Sequence, residues 1–108
     1  EKFSLIICDA PCTGSGTWSR TPEQLLSFDP GTIADYSKLQ QKIVSNAVKK
    51  LLPGGCLLYI TCSVFHEENE DNVAFLLQKF SLQLMKQQII NGVKEHADTM
   101  FVALLKKP

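Results

Sequence analysis

The sequence predicts an α/β fold: the C-terminal half of a doubly wound domain, with a mostly parallel sheet and an antiparallel last strand. Three observations predict it. Strand-like and helix-like segments alternate along the 108 residues, and such alternation builds parallel sheets through right-handed crossovers. The strand candidates are unbroken apolar runs, as expected where a strand is covered on both faces. The chain also opens almost flush with a strand, without a glycine-rich strand-to-helix nucleotide signature.

Each element has its own signal. Phe3-Ser4-Leu5-Ile6-Ile7-Cys8 is the first strand and stops at Asp9-Ala10-Pro11. From residue 12 to residue 31 the composition turns to Thr, Gly, Ser and Pro, with Trp18, Arg20 and Phe28 interleaved. A loop of that length points to function rather than mere connection. Ile33, Tyr36, Leu39 or Gln40, Ile43, Ala47 and Leu51 follow three- and four-residue steps, which predicts a helix over about residues 33–52. Lys38, Lys42, Lys49 and Lys50 take its wet face, and Pro53-Gly54-Gly55 stops it. Cys56-Leu57-Leu58-Tyr59-Ile60-Thr61-Cys62 is the second strand. The acidic run Glu67-Glu68-Asn69-Glu70-Asp71 precedes Val73, Leu76, Leu77 and Phe80 and reads as helix-start chemistry that complements the dipole. A third strand falls within residues 82–90, Asn91-Gly92 signals a turn, and a last strand falls within residues 99–106. A short turn makes that closing pair antiparallel.

Composition narrows the function classes. A length of 108 residues suits one compact domain, and 44% hydrophobic content with no net charge excludes a disordered chain. No apolar run approaches the ~20 residues of a membrane-spanning helix. Glu1-Lys2 followed by a strand does not read as a signal peptide, so a cytoplasmic, soluble location without membrane contact is expected. Eleven Lys+Arg against eleven Asp+Glu leave no broad basic surface; for a nucleic-acid substrate, much of the phosphate-binding charge should lie outside these residues. Cys8, Cys12, Cys56 and Cys62 form no C-x-x-C pair, and neither His66 nor His96 has finger-like spacing from a Cys pair. No metal is expected, and the cysteines read as reduced thiols.

Position separates those thiols. Ligands in open parallel sheets bind beyond the carboxyl ends of the strands. The first strand ends at Asp9-Ala10-Pro11-Cys12 and the second at Thr61-Cys62-Ser63. Adjacent parallel strands would bring a carboxylate and two thiols to one crevice. Cys8 and Cys56 lie within or at the start of strands, where packing explains them. Taken singly, Cys12 and Cys62 also suit a core, Asp9 suits a turn before Pro11, and Gly14-Ser15-Gly16 suits a flexible loop. Trp18 beside Arg20 suits either base stacking or loop packing.

The joint pattern is more specific. Asp9-Ala10-Pro11-Cys12-Thr13-Gly14-Ser15-Gly16-Thr17, together with Thr61-Cys62-Ser63 and Glu67-Glu68-Asn69-Glu70, resembles the Sun/Fmu/nucleolar family of S-adenosylmethionine-dependent RNA cytosine-C5 methyltransferases. Gln41, Ile43 and Pro53-Gly54-Gly55 extend the match. The resemblance implies a Rossmann-like methyltransferase fold, S-adenosylmethionine as cofactor and rRNA or tRNA as partner. It implies that Cys62 is the nucleophile on cytosine carbon 6 and that Cys12 assists release of the methylated base. Asp9 would help both catalysis and cofactor binding, with Pro11 beside it at the cofactor, and Trp18, Arg20 and Ser63 would meet RNA. Covalent addition is needed because carbon 5 of cytosine is too weak a nucleophile until a thiolate adds at carbon 6, and the base must leave its stack to reach the pocket.

The family's main cofactor loop and acidic ribose ligand precede the strand that opens this chain. Residues 1–108 therefore read as a partial catalytic domain, inactive in isolation and self-associating through the exposed edge of its first strand. Two other classes compete: a noncatalytic RNA-binding or assembly module that keeps the fold, and a thiol-redox protein using Cys12 and Cys62. The second is disfavoured by the lack of a C-x-x-C helix start.

Overall fold

A computed structural model describes residues 1–18, 22–91 and 98–108. Arg20 and most of the expected turn at Asn91-Gly92 lie outside the described residues. The elements in chain order are β1 (Phe3–Asp9), two short 3-10 helices at Ser15–Thr17 and Pro22–Ser27, and α1 (Thr32–Lys49). They are followed by β2 (Leu51–Thr61), α2 (Glu70–Phe80), β3 (Gln83–Ile90) and β4 (Met100–Lys106). The sheet order is β1-β2-β4-β3. β1 and β2 pair in parallel, while β4 runs antiparallel to both of its neighbours. Three strands thus share one direction and the last runs antiparallel to them, as expected; its place between β2 and β3 is an addition from the structure.

The β1–β2 register runs from Leu5↔Cys56 to Asp9↔Ile60, so the two strands finish level with each other at their carboxyl ends. That level finish sets the site. At their other ends the boundary differs from the sequence reading. α1 stops at Lys49 and β2 already begins at Leu51, which is fully buried and pairs with Phe3. Pro53-Gly54-Gly55 is an irregularity inside the strand rather than a helix stop: Gly54 takes φ +80° and donates its N–H to the Lys107 carbonyl at 2.7 Å.

The inward stripe of α1 is Gln40, Val44, Ser45 and Val48, while Leu39 is 42% exposed. Val44 and Val48 join Val73 and Leu76 of α2 over one face of the sheet, against Cys8, Leu57, Tyr59, Phe101, Ala103 and Leu105. Tyr59 and Phe101, both fully buried, meet edge to face at 6.3 Å. Each fully buried apolar side chain of this size contributes about 1.5–3 kcal/mol. The opposite face is barer: Leu5 and Ile7 are 56% and 62% exposed, and Leu58, Ile60, Val102 and Leu104 are half-buried. Among the described residues no helix is long and apolar enough to cross a membrane.

Candidate active site

The level ends of β1 and β2 release two loops side by side, and both carry a cysteine. The backbone N–H of Cys62 donates to the Cys12 sulfur at 3.3 Å. The two motifs, fifty residues apart in sequence, therefore touch. Both thiols are half-buried and neither is in a disulfide. Burial pushes the Cys12 thiol above its ordinary value. N–H bonds from Gly14 and Cys62 oppose that rise, and the carboxylates of Glu68 and Asp9 add to it. Cys8 is buried beneath the site, and its thiol is likewise pushed up by burial and then by Asp9.

Asp9 ends β1 with its side chain exposed. Pro11 is exposed, and its carbonyl accepts from Gln40 Nε2 of α1 at 2.8 Å. Trp18 is half-buried and packs edge-on to Phe28 (4.9 Å) and Phe65 (6.1 Å), while Phe28 and Phe65 stack at 5.7 Å. A cavity of about 290 Å³ opens beside them, lined by Thr13, Trp18, Gln24, Phe28 and Tyr36 among others. Ser63, expected at the RNA surface, has a buried side chain. Its hydroxyl donates to Glu68 Oε2 and accepts from the Phe65 N–H at 3.0 Å. Asp9, Pro11, Cys12 and Cys62 thus lie together at the carboxyl ends of β1 and β2, Trp18 lines the neighbouring cavity with Thr13, and Ser63 is buried.

Several buried polar groups hold this arrangement, and the sequence reading gave none of them that role. Glu68, read as part of a helix start, is fully buried below the two loops. Gly16 threads between them: its N–H donates to the Cys62 carbonyl at 2.7 Å, and its own carbonyl accepts from Thr99 at 2.8 Å. A Cβ at Gly16 would overlap the Thr99 carbonyl oxygen and stand 2.7 Å from that of Cys62. Only glycine fits there. Asn69 accepts from Thr61 Oγ1 (2.5 Å) and donates to the Ser63 carbonyl (2.7 Å), which fixes the turn around Cys62. The Tyr59 hydroxyl donates to the Glu68 carbonyl at 2.5 Å and accepts from Asn72, which also reaches Gln40. Burial raises the Tyr59 phenol well above its ordinary value, so it serves as a donor. One signal for Glu68 was available: it lies in the Glu67-Glu68-Asn69-Glu70 run that accompanies Thr61-Cys62-Ser63 in the family resemblance.

Residues 1–106 match the family described as 16S rRNA methyltransferase RsmB/F. The chain is 35% identical over 80 residues to ribosomal RNA small subunit methyltransferase F of Cronobacter sakazakii, a match covering 74% of this chain and 17% of that protein. It is 40% identical over 89 residues to tRNA (cytosine(72)-C(5))-methyltransferase NSUN6 of Homo sapiens, covering 82% and 18% respectively. The crystal structure of NSun6 from Pyrococcus horikoshii with SFG superposes with a TM-score of 0.82 at 30% identity, over 94% of this chain and 29% of that one. The chain spans less than a fifth of the length of these two sequence relatives.

Proposed function

The chain belongs to the 16S rRNA methyltransferase RsmB/F family, and on that premise we propose that it is the nucleophile-bearing part of an RNA cytosine-C5 methyltransferase acting on rRNA or tRNA. The contact between the Cys62 N–H and the Cys12 sulfur carries this reading, because the reaction needs two thiols on one base. The Cys62 thiolate adds to carbon 6 of a flipped-out cytosine, and the electron pair of the 5,6 double bond becomes available at carbon 5. S-adenosylmethionine, when bound, supplies the electrophilic methyl group. Cys12 then takes the proton from carbon 5, the double bond re-forms, and the bond between Cys62 and carbon 6 breaks.

The residues present suit that donor in part. Asp9 offers an exposed carboxylate at the carboxyl end of a strand, a favourable neighbour for a sulfonium. Pro11 offers an apolar edge whose carbonyl is already satisfied by Gln40. Trp18, with Arg20, is the proposed flank for RNA. The test uses the full-length protein and RNA carrying 5-fluorocytosine, whose fluorine cannot leave as a proton and so arrests the adduct. Mass spectrometry should find the base joined to Cys62. An adduct on Cys12 would exchange the two roles, whereas tight RNA binding with no adduct at all would favour a noncatalytic module.

The 108 residues alone should self-associate through the bare sheet face and the outer edge of β1, where Leu5 and Ile7 are exposed. Light scattering at high concentration checks this, and a strictly monomeric, cooperatively unfolding species would contradict it.

A further inference from the structure

We infer that Glu68 is a positioning residue, whose carboxylate holds the two cysteine loops at the separation that methyl transfer requires. The inference rests on the reading of Cys12 and Cys62 as the acting pair. Four donors converge on this one fully buried side chain. Oε1 accepts from the Thr13 N–H at 2.8 Å and from Gln40 Nε2 at 3.1 Å. Oε2 accepts from Thr13 Oγ1 at 2.8 Å and from the Ser63 hydroxyl. Four donors fill the lone-pair sites of a carboxylate, and a carboxylate acceptor makes such bonds stronger than a neutral one would.

The identity of the donors gives the network its meaning. Thr13 directly follows Cys12, and Ser63 directly follows Cys62. A single carboxylate therefore grips the residue after each thiol, and the 3.3 Å contact between the Cys62 N–H and the Cys12 sulfur lies above that grip. Ser63 is already committed as an acceptor to the Phe65 N–H and the Ser15 hydroxyl, so its own proton needs Glu68. An amide at this position would present an NH2 group to hydroxyls that must donate. The side chain would keep its volume and lose the grip. Glu68 holds the loops through Thr13 and Ser63, while its charge also bears on Cys12 by raising that thiol, an effect that Thr13→Val leaves in place.

The experiment compares wild type, Glu68→Gln and Thr13→Val in the full-length protein with two readouts. The first is the rate at which diamide joins Cys12 to Cys62 as a disulfide, which measures loop separation whether or not the protein is an enzyme. The second is methyl transfer resolved into kcat and the KM for S-adenosylmethionine. Glu68→Gln should slow cross-linking and lower kcat, each on the order of tenfold or more, with KM and the circular dichroism spectrum unchanged. Thr13→Val should do the same more weakly, and the double variant should fall short of the product of the two effects because they share one bond. If folded Glu68→Gln cross-links and turns over like wild type, or if the two substitutions multiply independently, the inference is overturned. Should Glu68→Gln fail to fold, Thr13→Val alone decides: cross-linking at the wild-type rate overturns the inference. If cross-linking slows as expected in a protein whose wild type forms no adduct with 5-fluorocytosine RNA, the positioning stands and the assignment of the reaction falls.

Discussion

The loop that carries Cys62, residues 62–69, and the loop that carries Cys12, within residues 10–31, end beside each other but are held in different ways. The Cys62 loop is short and closes on itself and on Thr61 at the end of β2, with Ser63, Glu68 and Asn69 all buried and hydrogen-bonded. The Cys12 loop is long, and its anchors are borrowed: Thr13 from Glu68, Ser15 from Ser63 and Val64, and Gly16 from Cys62 and Thr99. One loop is a template and the other is fitted to it. In the proposed reaction the nucleophile, Cys62, would therefore sit on the template side, and Cys12, which would act after the methyl has arrived, on the dependent side.

That asymmetry can be broken most completely at the thiols. On the proposed roles, Cys62→Ala should abolish methyl transfer and adduct formation, because it removes the thiolate that adds to carbon 6. Cys12→Ala should leave addition intact and let a covalent RNA–protein species accumulate, visible as a shifted band under denaturing conditions. The pH response sharpens the contrast. Burial raises the Cys12 thiol, so at neutral pH it is mostly protonated, and a step that needs its thiolate gains about tenfold per pH unit until the raised value is reached. In single-turnover measurements, adduct breakdown should climb from about pH 7 through about pH 9 and flatten in Cys12→Ala.

Smaller perturbations address the fit itself. Gly16→Ala places a Cβ against two backbone carbonyls, and neither can move without shifting Cys62 or Thr99; overpacking of this kind costs about 1–3 kcal/mol. Denaturant unfolding should show the loss, and disulfide capture between Cys12 and Cys62 should slow alongside it. Tyr59→Phe removes the donor to the Glu68 carbonyl, but Asn72 still reaches that oxygen at 3.2 Å. Its cost should therefore fall near the low end, about 1 kcal/mol, with little change in turnover.

The same contrast explains what was legible beforehand. Apolar runs and their order were enough for the strands, because Leu57, Tyr59, Phe101 and Leu105 are buried by hydrophobicity that any window of sequence displays. Cys12 and Cys62 could be paired because both follow strand ends, a rule of topology rather than of contact. Glu68, Gln40 and Gly16 were read as dipole chemistry, a helix stripe position and loop flexibility. Their partners are tens of residues distant, and nothing local distinguishes a buried carboxylate from an exposed one. The end of α1 was misjudged for a similar reason: Leu51 continues the helical spacing, yet pairing with Phe3 draws it into the sheet.

The insertion of β4 between β2 and β3 constrains the order in which these four strands pair. β4 follows β1, β2 and β3 in the chain yet fills an inner lane, so until it emerges β2 offers an open edge at Cys56–Thr61 and, among the described strands, β3 has no partner. Phe101, which completes the packing around Tyr59, arrives only then. A nascent chain stalled before residue 100 presents two sticky ladders and an unfilled core, a state suited to chaperone capture and to mispairing with a second ribosome's product. Docking of β4 is in this sense the closing step for these four strands, and the contact that brings Cys12 to Cys62 gains its Thr99 staple at that same moment.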